Sequence, residues 1–325
     1  MKWFVRIAGV VIAALVVLFL IFRTPDTDAE QMRAKYGAPP SQFVEIASGV
    51  EVHLRDEGPR DGQPILLLHG SNADLHTWEL WAQDLKQTHR VIRFDQVGHG
   101  LTGPDPKHDY SRANFTSDVA EVLDALGLEK AIVAGNSMGG KHALSFAVAY
   151  PERVAGLVLV DGSGAPLPED EKPQKDDDDS GNIGFAIARM PGVNLVAEQI
   201  TPRSLIRQSL EQSVSNQSVV TPEAVDRYWE LLRYPGNRRA TLKRFSTPYD
   251  PLSEAEIANV AAPTLILWGD EDRLIPVEAG QWLDRIMPNS ELVVYKGIGH
   301  LPHEEAPQAT IKAVREWLVS PTLTN

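Results

Sequence analysis

The sequence GNSMGG at residues 135–140 decides how the rest of this chain is interpreted. It follows the apolar run KAIVA (130–134) and leads without a spacer into a predicted helix. A strand that turns directly into a helix holds its central residue, here Ser137, in a strained conformation, and only glycine leaves room two residues before and after it. The pattern predicts a presented serine nucleophile. A glycine-rich turn that binds phosphate, or that simply packs closely, is the competing interpretation.

Short apolar runs typical of buried strands alternate with helical runs on both sides of this turn. After a two-stranded start from residue 41, the strand runs lie at 64–70, 90–96, 130–135, 154–162, 263–270 and 291–297. This repetition predicts right-handed crossovers and an α/β fold whose mostly parallel sheet has helices on both faces. No strand run occurs between 163 and 261. We therefore expect a core formed by 41–162 and 262–320, with a helical cap and an acidic linker at 163–261.

The first 24 residues are expected to lie outside this fold. Residues 7–22 carry no charged side chain, and about 20 apolar residues suffice to cross a bilayer. A cleaved secretory signal is the alternative, but no small-x-small cleavage pattern follows. The sequence thus predicts an uncleaved, single-pass N-terminal membrane anchor at 1–24. Lys2 and Arg6 before this segment are nearly balanced by Arg23, Arg33 and Lys35 after it. Because a short basic tail usually stays in the cytoplasm, the folded part is expected on the non-cytoplasmic side.

The composition excludes several classes of function. The chain has 44 acidic and 31 basic residues and a formal net charge of -13, so its field repels phosphate and argues against a nucleic-acid partner. It contains no cysteine, which excludes disulfides, a thiolate nucleophile and cysteine-ligated metal. We expect neither a metal nor an organic cofactor.

A serine hydroxyl becomes a nucleophile when a neighbouring base takes its proton. Of the nine histidines, His300 has the position expected of that base, because it follows the last strand in a glycine-rich loop at the carboxyl edge of the sheet. The histidine in turn needs an acid that fixes its tautomer. Asp272, after the strand at 263–270, is the first candidate for the acid. Asp161, which ends the preceding strand, is the alternative.

Two backbone N–H groups are expected to stabilise the oxyanion that forms during attack on a carbonyl. Met138 offers one at the start of the helix after Ser137, and Ser71 offers the other in the loop after the third strand. His69 is expected to form hydrogen bonds within that loop. An apolar pocket for a small uncharged or apolar ester is predicted from Met190, Trp229, Leu232, Tyr234, Phe245, Trp78 and His76.

Six motifs resemble, in their order along the chain, those of serine hydrolases of the α/β-hydrolase superfamily. They are LLLHGS (66–71), FDQVGHGLTG (94–103), GNSMGG (135–140), YPERVAGLVLVD (150–161), LWGDEDRLIP (267–276) and GIGHLPHEEAP (297–307). The resemblance covers roughly residues 41–320. It implies the α/β-hydrolase fold, a triad of Ser137, Asp272 and His300, and an oxyanion hole formed by the amides of Ser71 and Met138.

The resemblance favours an enzyme that cleaves carboxylic esters through an acyl-enzyme. GNSMGG is also similar to the turn of carbon–carbon bond hydrolases of aromatic ring degradation, which carry Gly-Pro-Gly where this chain has Ser71-Asn72-Ala73. That activity and lactone hydrolysis are alternatives on the same triad. Haloalkane dehalogenases and epoxide hydrolases, which HGLTGP (99–104) resembles, use an aspartate nucleophile in place of Ser137 and are discounted. A catalytically silent ligand-binding protein is the alternative outside enzymes.

Overall fold

An eight-stranded sheet forms the centre of the protein in the computed structural model, which describes residues 2–168, 198–248 and 250–320, with backbone alone at positions 2, 5, 8, 12 and 15. The strands are β1 (Ser41–Glu45), β2 (Glu51–Glu57), β3 (Pro64–Leu68), β4 (Arg90–Phe94), β5 (Ala131–Asn136), β6 (Val154–Val160), β7 (Thr264–Gly269) and β8 (Ser290–Tyr295). They lie in the order β1-β2-β4-β3-β5-β6-β7-β8. β2 pairs antiparallel with β1 and β4, and the other pairs are parallel. The predicted α/β-hydrolase sheet with its two-stranded start is confirmed.

Helices cover both faces of this sheet. Those in the described ranges are α1 (Lys2–Phe22), α2 (Ala29–Tyr36), α3 (Glu79–Leu85), α4 (Arg112–Ala125), α5 (Met138–Ala149), α6 (Arg203–Ser213), α7 (Pro222–Leu232), α8 (Asn237–Ser246), α9 (Glu254–Ala258), α10 (Val277–Ile286), α11 (Pro302–Glu305) and α12 (Pro307–Leu318). Strand side chains alternate between two cores, so Val133 of β5 packs on the α4, α5 and α10 side and Ile132 on the α3 and α12 side. The sheet is therefore buried on both faces, as its continuous apolar strands predict.

Among the described residues, four helices, α6, α7, α8 and α9, lie between β6 and β7, where the sequence predicts the helical cap. α7 begins as its sequence indicates: the Thr221 hydroxyl accepts the N–H of Ala224 (3.1 Å), and Pro222 occupies the first turn. Asn237 of α8 reaches the core and donates its side-chain N–H to the carbonyl oxygen of Gly100 (3.0 Å). Most of the acidic linker lies outside the described residues, and the division into core and cap domains stays a prediction.

The predicted membrane anchor is contradicted. Its residues form helix α1, but over the part of the chain that the structure describes, no helix is both long and apolar enough to cross a membrane. The prediction required an uninterrupted apolar span of about 20 residues, and the described residues supply none. The chain after α1 is hydrogen-bonded to the cap region, with the N–H of Thr24 donating to Gln199 and that of Thr27 to Arg233 (2.9 Å each). The membrane partner and the non-cytoplasmic location are withdrawn with the anchor.

Candidate active site

The turn between β5 and α5 holds Ser137 in a strained conformation. Its φ of 54° and ψ of -118° are rare for a residue with a side chain. A Cβ added to Gly135 would lie 2.2 Å from the carbonyl oxygen of Gly139, and one added to Gly139 would lie 2.2 Å from that of Leu68. Glycine is therefore required on both sides of the serine, as predicted, and α5 can begin directly against the ends of β3 and β5.

Hydrogen bonds from neighbouring strand ends fix this turn. The N–H of Ser137 donates to the carbonyl oxygen of Val160 (3.1 Å), while the N–H and hydroxyl of Ser163 donate to the carbonyl oxygen of Ser137 (3.0 and 3.1 Å). The side-chain N–H₂ of Asn136 donates to the carbonyl oxygens of Val160 and His300, at 3.1 Å each. The serine turn is thus tied both to the end of β6 and to the loop that carries the predicted base.

His300 is paired with Asp272. A hydrogen bond of 2.7 Å joins Nδ1 of His300 to Oδ2 of Asp272, and both residues are buried. The other carboxylate oxygen accepts the N–H groups of Leu274 (2.7 Å) and Ile275 (3.0 Å), which fix its orientation. With the proton on Nδ1, the free lone pair of the imidazole lies on Nε2, as a general base requires. His300 and Ser137 line the same cavity.

Asp161, the alternative acid, lies beside this pair. One oxygen each of Asp161 and Asp272 and one ring nitrogen of His300 lie within 4.8 Å of one another. The short hydrogen bond to the imidazole comes from Asp272, whereas Oδ1 of Asp161 accepts the N–H of Gly269 (3.1 Å). Burial, and next the Asp272 carboxylate, raise the pKa of Asp161 well above its usual range. Of the two carboxyl groups, Asp272 has the geometry of the acid.

Among the described residues, Asp161, Asp272 and His300 form a group whose ligand atoms lie close enough together to hold a metal ion. The imidazole nitrogen that faces the carboxylates is already engaged by Asp272 at 2.7 Å.

The loop after β3 lies against the serine turn. A Cβ added to Gly70 would be 2.8 Å from the side-chain oxygen of Asn136 and 3.3 Å from Cβ of Ser137, and Ser71 lines the cavity beside them. Met138 is the first residue of α5, so its N–H has no acceptor within the helix. β3 and β5 are neighbours where the strand order reverses, the place at which open α/β sheets bind ligands. The amides of Ser71 and Met138 thus remain the candidates for an oxyanion hole.

The cavity above Ser137 has apolar walls. They come from α6, α7 and the loops after β7 and β8, namely Ile206, Leu210, Tyr228, Leu232, Leu274 and Leu301. The lining also contains polar side chains, those of Ser71, Asn72, Asn136, Ser137 and His300 in the core and of Ser209 and Ser213 on α6. An apolar wall facing a few convergent polar groups is typical of a small-molecule site.

Most aromatic residues predicted to line this pocket pack elsewhere. Leu232 does line the cavity, but Trp229 donates its indole N–H to the carbonyl oxygen of Thr201 (2.7 Å), and Tyr234 packs with Met32 in a small core below α2. Among the described lining residues, His76, Trp78 and Phe245 are likewise absent, and Met190 lies outside the described residues. Aromatic side chains in a cap fill the space between helices as readily as they line a pocket, so sequence could not separate the two roles.

Glu305 is a site residue that the sequence analysis missed. It is buried in α11 and accepts backbone N–H groups at 2.8–3.2 Å from Ser215, Asn216, Gly299 and Leu301. The N–H of His300 donates to the carbonyl oxygen of Ser213 (2.9 Å) at the end of α6. One carboxylate thus joins the loop of the base to the cap. The sequence gives a single weak signal, a glutamate five residues after the histidine.

His303 and His69 are buried histidines held by hydrogen bonds to neighbouring loops and helices. The Nε2 atom of His303 lies 3.0 Å from the hydroxyl of Thr77, and burial lowers the pKa of this histidine to about 3. Nδ1 of His69 is hydrogen-bonded to the carbonyl oxygen of Gly70 (2.7 Å), and its Nε2 accepts the N–H of Gln96 (3.0 Å). Neither histidine is among the described residues that line the cavity with Ser137.

The sheet order, the serine turn and the buried histidine–carboxylate pair together define a hydrolase of the α/β type. The family described as "alpha/beta hydrolase fold" matches residues 63–307, and the chain belongs to this family.

Relatives within the family have named activities. The chain is 30% identical over 297 residues to the "2-hydroxy-6-oxononadienedioate/2-hydroxy-6-oxononatrienedioate hydrolase" of Comamonas testosteroni, covering 86% of this chain and 96% of that protein. A solved meta-cleavage product hydrolase from Pseudomonas fluorescens IP01 is 25% identical with a TM-score of 0.71, covering 85% of this chain and 97% of that one. A thermophilic esterase from Thermogutta terrifontis is 26% identical with a TM-score of 0.69, covering 86% and 97%.

Proposed function

We propose that this hydrolase cleaves a carbon–carbon bond beside a ketone in an unsaturated keto acid, the product of an aromatic ring cleavage. One observation carries the proposal: the strained Ser137 and the hydrogen-bonded pair of His300 and Asp272 meet at one cavity with apolar walls. The activities named for the relative and for the first of the two solved structures support this choice of bond. It takes precedence over the ester cleavage that the sequence alone favours.

In this mechanism Ser137 adds through its hydroxyl oxygen to the ketone carbonyl while Nε2 of His300 takes the proton. Asp272 accepts a hydrogen bond from the Nδ1–H group of His300 and stabilises the imidazolium, without taking the proton itself. The amides of Ser71 and Met138 hold the developing oxyanion. Before cleavage the dienol is converted to its keto form by transfer of the hydroxyl proton to the carbon next to the ketone. When the ketone carbonyl re-forms, the carbon–carbon electron pair then leaves into an enolate conjugated with the new keto group, and this enolate receives the proton from His300. Water, activated by the same imidazole, then releases the acyl group from the serine.

The test compares two substrates on the same preparation. A 2-hydroxy-6-oxo-6-phenylhexa-2,4-dienoate and p-nitrophenyl butyrate are assayed with the wild type, Ser137→Ala and His300→Ala. We expect kcat/KM for the dienoate to exceed that for the ester at least tenfold, and both variants to lose about a thousandfold or more, as in other serine triads. Hydrolysis of the ester without consumption of the dienoate would overturn the carbon–carbon assignment.

Ester hydrolysis is the second candidate. The loop Ser71-Asn72-Ala73 departs from the Gly-Pro-Gly expected of carbon–carbon hydrolases, and one of the similar solved structures is an esterase. The same triad serves either reaction, because both begin with addition to a carbonyl. A panel of p-nitrophenyl esters of graded chain length separates the candidates: a kcat/KM that rises with chain length and exceeds the value for the dienoate supports the esterase.

A further inference from the structure

Asp161 is a buried carboxyl group to which the proposed reaction assigns no role. It follows β6, is 0% exposed and has a positive φ of 44°. Its Oδ1 accepts the N–H of Gly269, while its Oδ2 is buried and has no hydrogen-bond partner counted among the described residues. An ionised carboxylate in this place would leave an acceptor unsatisfied. A protonated one would instead hold a donor.

The groups that face Asp161 explain which form is stable. They are Asp272 and His300 in the loops after β7 and β8, Glu305 of α11 and Tyr295 of β8. Two buried carboxyl groups in contact cannot both ionise, so one of them keeps its proton. Both oxygens of Asp272 already act as hydrogen-bond acceptors, for the N–H groups of Leu274 and Ile275 and for that of the imidazole. The proton therefore belongs to Asp161.

We propose that Asp161 is neutral in the working enzyme and donates its Oδ2 proton to the Asp272 carboxylate, which it thereby positions for His300. The donation satisfies the otherwise unpartnered oxygen of Asp161. It also completes the hydrogen bonds around the Asp272 carboxylate. Asp161 is a positioning residue rather than a second acid. Only the catalytic consequence of this proposal rests on the proposed function.

The first test replaces the neutral carboxyl by groups that can or cannot donate. In Asp161→Asn the amide oxygen accepts the N–H of Gly269 and the amide nitrogen donates to Asp272, so the rate of Ser137 labelling by a fluorophosphonate probe should stay within threefold of wild type. Asp161→Ala should lower that rate about tenfold and shift its pH dependence. Asp272→Asn should lower it by a hundredfold or more. The probe reports the nucleophile whatever the natural substrate is.

Two results would overturn the proposal on this measurement. If labelling falls as much in Asp161→Asn as in Asp272→Asn, a negative charge on Asp161 is required, and the proposal that Asp161 is protonated is wrong. If Asp161→Ala labels like wild type over the whole pH range, Asp161 positions nothing. If the enzyme does not cleave the dienoate, only the proposed function fails. The labelling rates of the Asp161 variants would still decide the Asp161 proposal.

The second test measures the bound proton without catalysis. A carboxyl group with a raised pKa in the folded state contributes stability that is fully present below about pH 4 and is lost as pH rises toward the folded pKa. The urea midpoint of wild type should therefore fall relative to that of Asp161→Asn between pH 4 and 9. Parallel curves would show that Asp161 carries no extra proton and would overturn the proposal.

Asp118 supplies the matched control. It is a buried carboxyl group on α4, outside the triad, and among the described residues its Oδ1 has no hydrogen-bond partner. Asp118→Asn should change the pH dependence of the urea midpoint in the same direction but leave fluorophosphonate labelling unchanged. A loss of labelling in this variant would mean that buried carboxyl groups affect the site non-specifically, and the Asp161 result would then not support positioning.

Discussion

The side chain of Asn136 donates a hydrogen bond of 3.1 Å to the backbone carbonyl oxygen of His300. The residue before the nucleophile thereby holds the loop of the base, although β5 and β8 are separated in the sheet by β6 and β7. A second hydrogen bond from the same amide reaches Val160. Because both bonds are buried and run from one side chain to the backbone of two other segments, they set the spacing between the serine turn and the histidine loop before any substrate binds.

Asn136→Ala should therefore damage catalysis more than binding. Removing the amide leaves two buried carbonyl oxygens without this donor, which we expect to cost about 1–3 kcal/mol of unfolding free energy and to lower kcat about tenfold with little change in KM. Asn237 is the matched control, a buried asparagine that also donates to two carbonyl oxygens, but at the base of α8. Asn237→Ala should lose similar stability at unchanged kcat. Equal kcat losses would contradict the role of Asn136.

Gly139→Ala should displace α5 from the sheet. Its Cβ would meet the carbonyl oxygens of Leu68 at 2.2 Å and His69 at 2.7 Å, both of them backbone atoms that cannot yield easily. We expect a loss of more than about 3 kcal/mol in chemical denaturation, or no soluble protein. Gly162→Ala is the control, since its added Cβ would find ordinary contacts at 3.6 Å or more. A folded and active Gly139→Ala protein would refute the close packing of the serine turn.

Glu305→Gln tests whether the Glu305 carboxylate holds the His300 loop in place. A neutral amide accepts the four backbone N–H groups less well and turns N–H donors toward some of them, so we expect kcat to fall about tenfold and the unfolding free energy by about 2 kcal/mol. Glu121, whose carboxylate accepts the N–H of Ser48 on the surface of α4, is the control. Glu121→Gln should leave kcat unchanged. An unaffected kcat in Glu305→Gln would show that the loop needs no charged anchor.

Ile206→Trp should alter substrate preference. The side chain of Ile206 lines the cavity from α6, and a larger group there leaves less room above Ser137. We expect kcat/KM to fall about tenfold for substrates with a phenyl or hexyl group and to change little for acetyl or methyl analogues. Trp229→Phe, outside the lining, should keep the wild-type preference. If Trp229→Phe alters the substrate preference as strongly as Ile206→Trp does, Trp229 contacts the substrate, as the sequence analysis predicted.

Because Asp118 is buried, its contribution to the unfolding free energy should decrease as pH rises. Burial, and next the charge of Glu121, raise the pKa of Asp118 to about 7. The unfolded value is about 3.9, so the stabilisation is complete below about pH 4 and disappears as pH rises through 7, each pKa unit corresponding to about 1.4 kcal/mol. Asp118→Asn should remove this dependence in urea unfolding measured from pH 4 to 9. An unchanged slope would show that Asp118 is ionised throughout.

The sequence identified the strands, the serine turn and the candidate acid and base groups because each has a local pattern. Ser137 has glycine two positions before and after it, and His300 and Asp272 follow recognisable strand ends. Patterns of this kind reflect backbone geometry, which depends on residues close in the chain. The apolar segment at 7–22 shows the limit of that reasoning, since its composition predicted a membrane span that the described structure does not bear out.

Contacts between distant residues leave no such pattern. Asn136 meets His300 across 164 positions, and Glu305 binds amides of the cap about 90 positions earlier in the chain. Whether Asp272 or Asp161 is hydrogen-bonded to the imidazole likewise depended on side-chain directions that only the packed sheet fixes. The sequence by itself thus determined the fold and the chemical groups at the strand ends. Tertiary structure decided which carboxyl group pairs with the base and which side chains form the pocket, because close packing selects one partner among several of equal chemistry.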